Sequence, residues 1–201
     1  MLSKFGRPLF TDALSLLARR LHALGITPNG LTYTGFILTA ITAYFLANGF
    51  FRWGGILLLL AAFFDMLDGA VARFTQQIST FGAFIDSTLD RYSESVTFLA
   101  LAYYYSRRPS TRTELVLILV ILVGSLMVSY TKARAEALNV ECKAGIMQRP
   151  ERVVLLIAGL LTGWMQPILW VLAIFTNFTA IQRIYEVYWR TTQLQAKIDS
   201  N

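Results

Sequence analysis

Residues 65–90 read DMLDGAVARFTQQISTFGAFIDSTLD, and four carboxylates in this stretch decide how the rest of the chain is organised. Asp65 and Asp68 are three residues apart, Asp86 and Asp90 are four apart, and long apolar runs flank them. On helices both spacings put a pair on one face. An ionised carboxylate has no ordinary place among apolar runs of that length. Gly69, Arg73 and Gly82 lie between the pairs, so two helix ends can turn toward one another and gather all four carboxylates. Hard divalent cations call for oxygen ligands of this kind.

Outward from this stretch the chain is apolar. It has 201 residues, 55% of them hydrophobic, and the apolar residues come in blocks of about 20, the length that crosses a bilayer. The expected fold is an all-α integral membrane domain occupying the whole chain, 1–201. Six spans are expected within residues 27–190: Leu31 to about Asn48, Gly55 to Arg73, Phe81 to Tyr105, Thr113 to Arg134, Pro150 to Met165, and Pro167 to Trp189. The fifth, roughly 24 Å long, is short for a bilayer. Thr27 is placed to cap the first span with Pro28 in its first turn. Thr111 and Glu114 have capping-box spacing ahead of the fourth. Over residues 3–24, Phe5, Leu9, Ala13, Leu17, Leu21 and Leu24 recur at intervals of three and four, with Lys4, Arg7 and Arg19 mostly elsewhere. That pattern predicts an amphipathic helix lying on an anionic membrane surface. The sequon-like Asn177-Phe178-Thr179 sits inside an apolar run and reads as helix packing.

The net charge of +6 does not point to nucleic acid, because Lys and Arg stand at the ends of apolar runs and not in a patch interleaved with aromatics. Positive flanks of membrane spans explain them. Six spans put both termini and the aspartates on one side, together with Arg19, Arg20, Lys132, Arg134, Arg149, Arg152 and Arg183; the charge bias makes that side the cytoplasmic face of the cell membrane, against the pull of Arg107, Arg108 and Arg112. A single cysteine, Cys142, rules out an intramolecular disulfide, and a single histidine, His22, leaves no Cys/His zinc site. The first residues lack the apolar core and cleavage site of a signal peptide. Acid–base work therefore falls to carboxylates or lysine.

Four carboxylates confined together repel one another and need compensating positive charge. Two divalent ions about 4 Å apart meet that need and align phosphate oxygens for transfer chemistry. The plain alternative, solvated helix-end residues, suits one such pair better than two. Gly69 and Gly82 permit close approach of a ligand to the backbone, or alternatively serve helix packing; Arg73 can reach a bound phosphate. A second constellation lies in residues 129–156, SYTKARAEALNVECKAGIMQRPERVVLL, with Arg183 beyond it inside an otherwise apolar span. Charge at that depth faces a cavity or a partner. Lys132, Arg152 and Arg183 converging on one pocket would bind a phosphate monoester.

The pattern Asp65-x-x-Asp68-Gly69-x-x-Ala72-Arg73, eight residues, Gly82-x-x-x-Asp86-x-x-x-Asp90 resembles the signature of the CDP-alcohol phosphotransferases. The resemblance implies a six-helix membrane fold, a homodimer, and a CDP-linked lipid such as CDP-diacylglycerol held through its diphosphate by Mg²⁺ or Mn²⁺, two ions per site. An acceptor hydroxyl attacks the lipid-side phosphate and CMP leaves. It further implies that Asp65, Asp68 and Asp86 are metal ligands, and that Asp90 is the general base and also touches metal. Pro28, Asn29, Asp68, Gly69, Ala72, Arg73, Thr80 and Gly82 then border the cytidine diphosphate. The KARAEA…RPER segment is similar to that of the phosphatidylinositol-phosphate synthases of actinobacteria. This places Lys132, Arg134, Arg152 and Arg183 around the phosphate of inositol 1-phosphate. Glycerol 3-phosphate as acceptor is the alternative within the family; a small-ion transporter with an intramembrane carboxylate site is the alternative outside it.

Overall fold

Six α-helices account for most of the described residues. A computed structural model describes residues 27–75 and 79–199, with positions 17, 19–21, 23 and 25. The helices are α1 (Pro28–Ala47), α2 (Phe51–Thr75), α3 (Thr80–Ser106), α4 (Arg112–Ala137), α5 (Arg149–Thr162) and α6 (Met165–Asp199). There is no strand among the described residues. The helices close into a ring: α1 packs on α2 and α3, α3 on α4, α4 on α6, α6 on α5, and α5 back on α2.

Leu46, Phe98, Leu101, Ile118, Ile121, Leu160, Leu169 and Leu172 fill the centre and are fully buried, while large apolar residues such as Tyr44, Trp53, Val123 and Ile181 point outward. Each of the six helices carries exposed apolar residues, a surface that a lipid environment accommodates and water does not. Helices α1, α2, α4 and α6 have the length and hydropathy of bilayer spans. Of the other two, α3 is 27 residues long but carries Asp86, Asp90, Arg91 and Glu94, and α5 has 14 residues, about 21 Å.

Local chemistry sets most of the helix ends. Thr27 accepts a hydrogen bond from the Gly30 N–H at 3.2 Å and Pro28 opens α1, as the sequence predicts. The turn before α2 is tighter than expected: Gly49, at φ +82°, reverses the chain alone, so the helix begins at Phe51 and not Gly55. The expected capping box at Thr111 does not form. The Thr111 hydroxyl instead donates to the carbonyls of Tyr105 and Arg108, at 2.6 and 3.0 Å. Helix α5 stops earlier than expected, at Thr162, because Gly163 takes the left-handed conformation that closes it. Asn177 packs into a notch at Gly124 and its amide donates to the carbonyls of Val120 and Ala173, joining α6 to α4. Most of the amphipathic helix expected over residues 3–24 lies outside the described residues. Positions 17, 19–21 and 23 are helical, Leu17 and Leu21 pack on Leu31, Leu67 and Val71, and Arg19 lies over the Phe74 ring.

Candidate active site

Helix α2 carries Asp65 and Asp68 toward its C-terminus and α3 carries Asp86 and Asp90 near its N-terminus, so both pairs lie at one end of the ring. Asp65 and Asp86 each interact electrostatically with the other and with both Asp68 and Asp90. Asp68 is buried, and Thr32 of α1 donates its hydroxyl to Asp68 Oδ2 at 2.7 Å. One turn along α1, Gly35 faces Asp65 so closely that a Cβ there would stand 2.9 Å from Oδ1. Neither Thr32 nor Gly35 was expected in the site. Their small size at i, i+3 after Pro28, a spacing that lets helices approach closely, is the available signal.

A third unexpected residue joins the two pairs. Arg149, the first residue of α5, reaches Asp65 Oδ2 with Nη2 at 2.6 Å and Asp90 Oδ1 with Nη1 at 2.7 Å. Among the described residues no three carboxylates converge as they would around a metal ion, which differs from the expected four-carboxylate cluster. The guanidinium standing between Asp65 and Asp90, and the turn of Asp68 toward Thr32, hold the carboxylates apart. The donor set nevertheless fits a hard cation: it is rich in carboxylates and supplies oxygen alone.

The residues expected at the nucleotide lie around the same end. Pro28 and Asn29 are in the first turn of α1, Gly69, Ala72 and Arg73 in the last turns of α2, and Thr80 and Gly82 open α3. The Gly82 N–H donates to Ser79 Oγ at 2.9 Å, capping α3, and a Cβ at Gly82 would meet both Ser79 Oγ and Asn29 Oδ1. The starts of α1 and α3 therefore touch at Gly82. Arg73 folds over Gly69, where a Cβ would lie 3.4 Å from its Nη1.

Beside Asp90 is a cavity of about 160 Å³ lined by Arg91, Lys132, Gln148, Arg149, Arg152 and Arg183 among others. Its cations are held in different ways. Arg152 is 1% exposed. It donates from Nε and Nη2 to the Glu94 carboxylate at 2.6 and 2.7 Å, and from Nη1 to the Met147 carbonyl at 3.1 Å. Arg152, expected at the acceptor phosphate, thus already has its charge matched by Glu94. Arg183, also buried, donates to the carbonyls of Ala144 and Val128, bonds that fix the side chain without cancelling its charge. Lys132 is exposed and 3.7 Å from Glu136. Arg134 is exposed and does not line the cavity. Two residues beyond Lys132 it lies roughly 200° around α4, so it does not join Lys132 in this cavity, where it was expected around the acceptor phosphate.

The loop between α4 and α5 is fastened to α6. Glu186 accepts the N–H groups of Lys143 and Ala144 at 3.0 and 2.7 Å, and Thr179 Oγ accepts that of Met147 at 2.9 Å. Cys142 is buried within it, and burial pushes its thiol pKa up, away from nucleophilic thiolate. On the other side of Asp65 and Arg149 lies a larger, mostly apolar cavity of about 470 Å³, walled by Leu58, Ala62, Phe98, Val153 and Ile157.

These features define a membrane protein with two aspartate pairs and a cation-lined cavity meeting at one end of its helix ring. Residues 25–181 match the family described as CDP-alcohol phosphatidyltransferase. The chain belongs to that family, and it is an enzyme of phospholipid synthesis. It is 38% identical to the archaetidylinositol phosphate synthase of Pyrococcus horikoshii, over 92% of this chain and 96% of that one. It is 36% identical to the phosphatidylinositol phosphate synthase of Corynebacterium glutamicum, over 92% and 88%. Its fold is similar to the crystal structure of Mycobacterium tuberculosis phosphatidylinositol phosphate synthase with CDP-DAG bound, with a TM-score of 0.81 and 30% identity over 87% of this chain and 93% of that one. The same enzyme in complex with manganese and citrate matches equally well, with a TM-score of 0.81.

Proposed function

We propose that the protein transfers the lipid-phosphate group of a CDP-linked lipid to inositol 1-phosphate and releases CMP. The observation that carries this reading is the position of Asp90, which lines the cavity shared with Lys132 and Arg183 and is joined through Arg149 to Asp65. A base so placed stands between a donor and a phosphorylated acceptor. The acceptor hydroxyl oxygen forms a bond to the lipid-side phosphorus, the bond from that phosphorus to CMP breaks, and the hydroxyl proton passes to the Asp90 carboxylate. Asp65, Asp68, Asp86 and the edge of Asp90 would hold Mg²⁺ or Mn²⁺, two ions per site, which neutralise charge on the phosphates when bound.

The remaining residues position the substrates. Thr32 orients Asp68. Pro28, Asn29, Gly69, Ala72, Arg73, Thr80 and Gly82 frame the cytidine diphosphate, and the apolar cavity beside Asp65 accommodates a lipid chain. Lys132 and Arg183 bind the acceptor phosphate, with Arg152 held in the wall by Glu94. All six helices cross the membrane, the aspartate end faces the cytoplasm, and two copies associate. The synthase names of the relatives favour inositol phosphate over glycerol 3-phosphate.

The test uses purified protein with Mn²⁺, CDP-diacylglycerol or CDP-archaeol, and inositol 1-phosphate or glycerol 3-phosphate supplied separately. CMP release and the lipid product are followed by chromatography and mass spectrometry. Product with inositol 1-phosphate is expected; product with glycerol 3-phosphate alone would overturn the acceptor assignment.

A further inference from the structure

The geometry points to Arg149 as a resident counter-cation of the aspartate site, passed from carboxylate to substrate phosphate when a divalent ion takes the carboxylates. This rests on the proposed aspartate–metal reading. Arg149 comes from the start of α5, far along the chain from both partners, yet its two Nη atoms bond Asp65 and Asp90 on different helices. Two of the carboxylate oxygens that an ion would need are therefore already engaged by a single positive charge. An ion sharing those oxygens and the guanidinium compete for the same lone pairs. A divalent charge among four carboxylates wins that competition and then repels the guanidinium.

Three features give the released side chain somewhere to go. Arg149 borders both the cation-lined cavity and the larger apolar one, so a rotation of its side chain stays within the site. Its side chain is 29% exposed, against 2% for Arg152. Its Nε is buried without a hydrogen-bond partner, whereas every guanidinium nitrogen of Arg152 is bonded. A guanidinium has five donors in a fork that matches phosphate, and the unused Nε edge is the part able to take phosphate oxygens.

Competition between Arg149 and metal is reciprocal, so removing one strengthens the other. The experiment measures Mn²⁺ binding to the detergent-solubilised full-length protein without substrate, by electron paramagnetic resonance of free Mn²⁺, for the unmodified chain, Arg149→Gln and Arg149→Lys. Arg149→Gln is expected to bind Mn²⁺ about tenfold more tightly and, starting from a lower unfolding temperature in EDTA, to show a larger Mn²⁺-induced rise. Arg149→Lys, which keeps the charge but not the fork, is expected to fall between. Turnover measured alongside should show a raised KM for a phosphate-bearing substrate. A misfolded variant loses metal affinity, so a gain cannot arise from damage. Unchanged or weaker Mn²⁺ binding in both variants, with the unmodified chain binding Mn²⁺ normally, would overturn the hand-over while leaving the metal site standing. Failure of the unmodified chain to bind Mn²⁺ would instead overturn the aspartate–metal reading and the hand-over with it.

Discussion

The aspartate end of α2 and α3 and the cation cavity between α3, α4, α5 and α6 sit side by side, but their charges are managed differently. In the cavity, Arg152 is matched by Glu94, and Arg183 is fixed by two carbonyls. Those side chains are set before any ligand arrives. Among the aspartates, one guanidinium is divided between Asp65 and Asp90, and Asp68 takes a hydroxyl hydrogen bond from Thr32. The cavity holds Arg152 and Arg183 by bonds within the protein, whereas at the aspartate end Arg149 is divided between two of four carboxylates. Preorganised charge serves recognition, while an under-compensated carboxylate cluster favours cation binding.

Asp90 belongs to both regions, so its replacement bears hardest on the contrast. Asp90→Asn is expected to lower turnover about 10³-fold, measured as CMP release, while CDP-lipid still binds. Turnover within a few-fold of the unmodified enzyme would remove Asp90 from the role of base. The Arg152–Glu94 pair is tested next by Glu94→Gln, which leaves Arg152 as a buried charge without its counter-ion. Breaking such a pair costs about 3–5 kcal/mol, read as a fall in unfolding free energy in detergent. Adding Arg152→Met should restore most of that stability without restoring the acceptor KM. Unaltered stability in the single variant would mean the pair does not organise the cavity.

Much of this was legible in the residue pattern because it is local. The carboxylate spacings, the Thr27-Pro28 start and the helix sequence follow from neighbours in the chain. What escaped is tertiary. Arg149 reads as a positive flank until α5 folds back beside α2, and Glu94 reads as part of a long α3 until Arg152 meets it. Glu94 did carry a signal, since a carboxylate one turn beyond Asp90 in an apolar helix requires a partner. Arg134 shows the opposite error: it shares a motif with Lys132 but not a helix face.

Gly35 tests the aspartate end from behind. A methyl group there meets Asp65 Oδ1 at 2.9 Å and must push α1 away from α2 or displace the carboxylate. Gly35→Ala is expected to cost about 1–3 kcal/mol by overpacking and to weaken Mn²⁺ affinity, both measurable on the purified protein. Stability loss with metal affinity intact would mean that α1 yields and Asp65 does not.

The smallest effects separate two neighbours on α4. Lys132 lines the cavity and its exposed pair with Glu136 is worth little, so its ammonium is available to an acceptor phosphate. Lys132→Ala should raise the acceptor KM several-fold, the loss of about one charge-assisted hydrogen bond, with donor KM unchanged. Arg134 is outside the cavity lining, and Arg134→Ala should leave both constants within about twofold, as for an exposed charge without a fixed partner. If the two substitutions raised the acceptor KM equally, the basic end of α4 would act as a diffuse field steering anions and not as a single contact. Added salt distinguishes the cases, because screening weakens a diffuse field more than a short contact in a partly buried cavity.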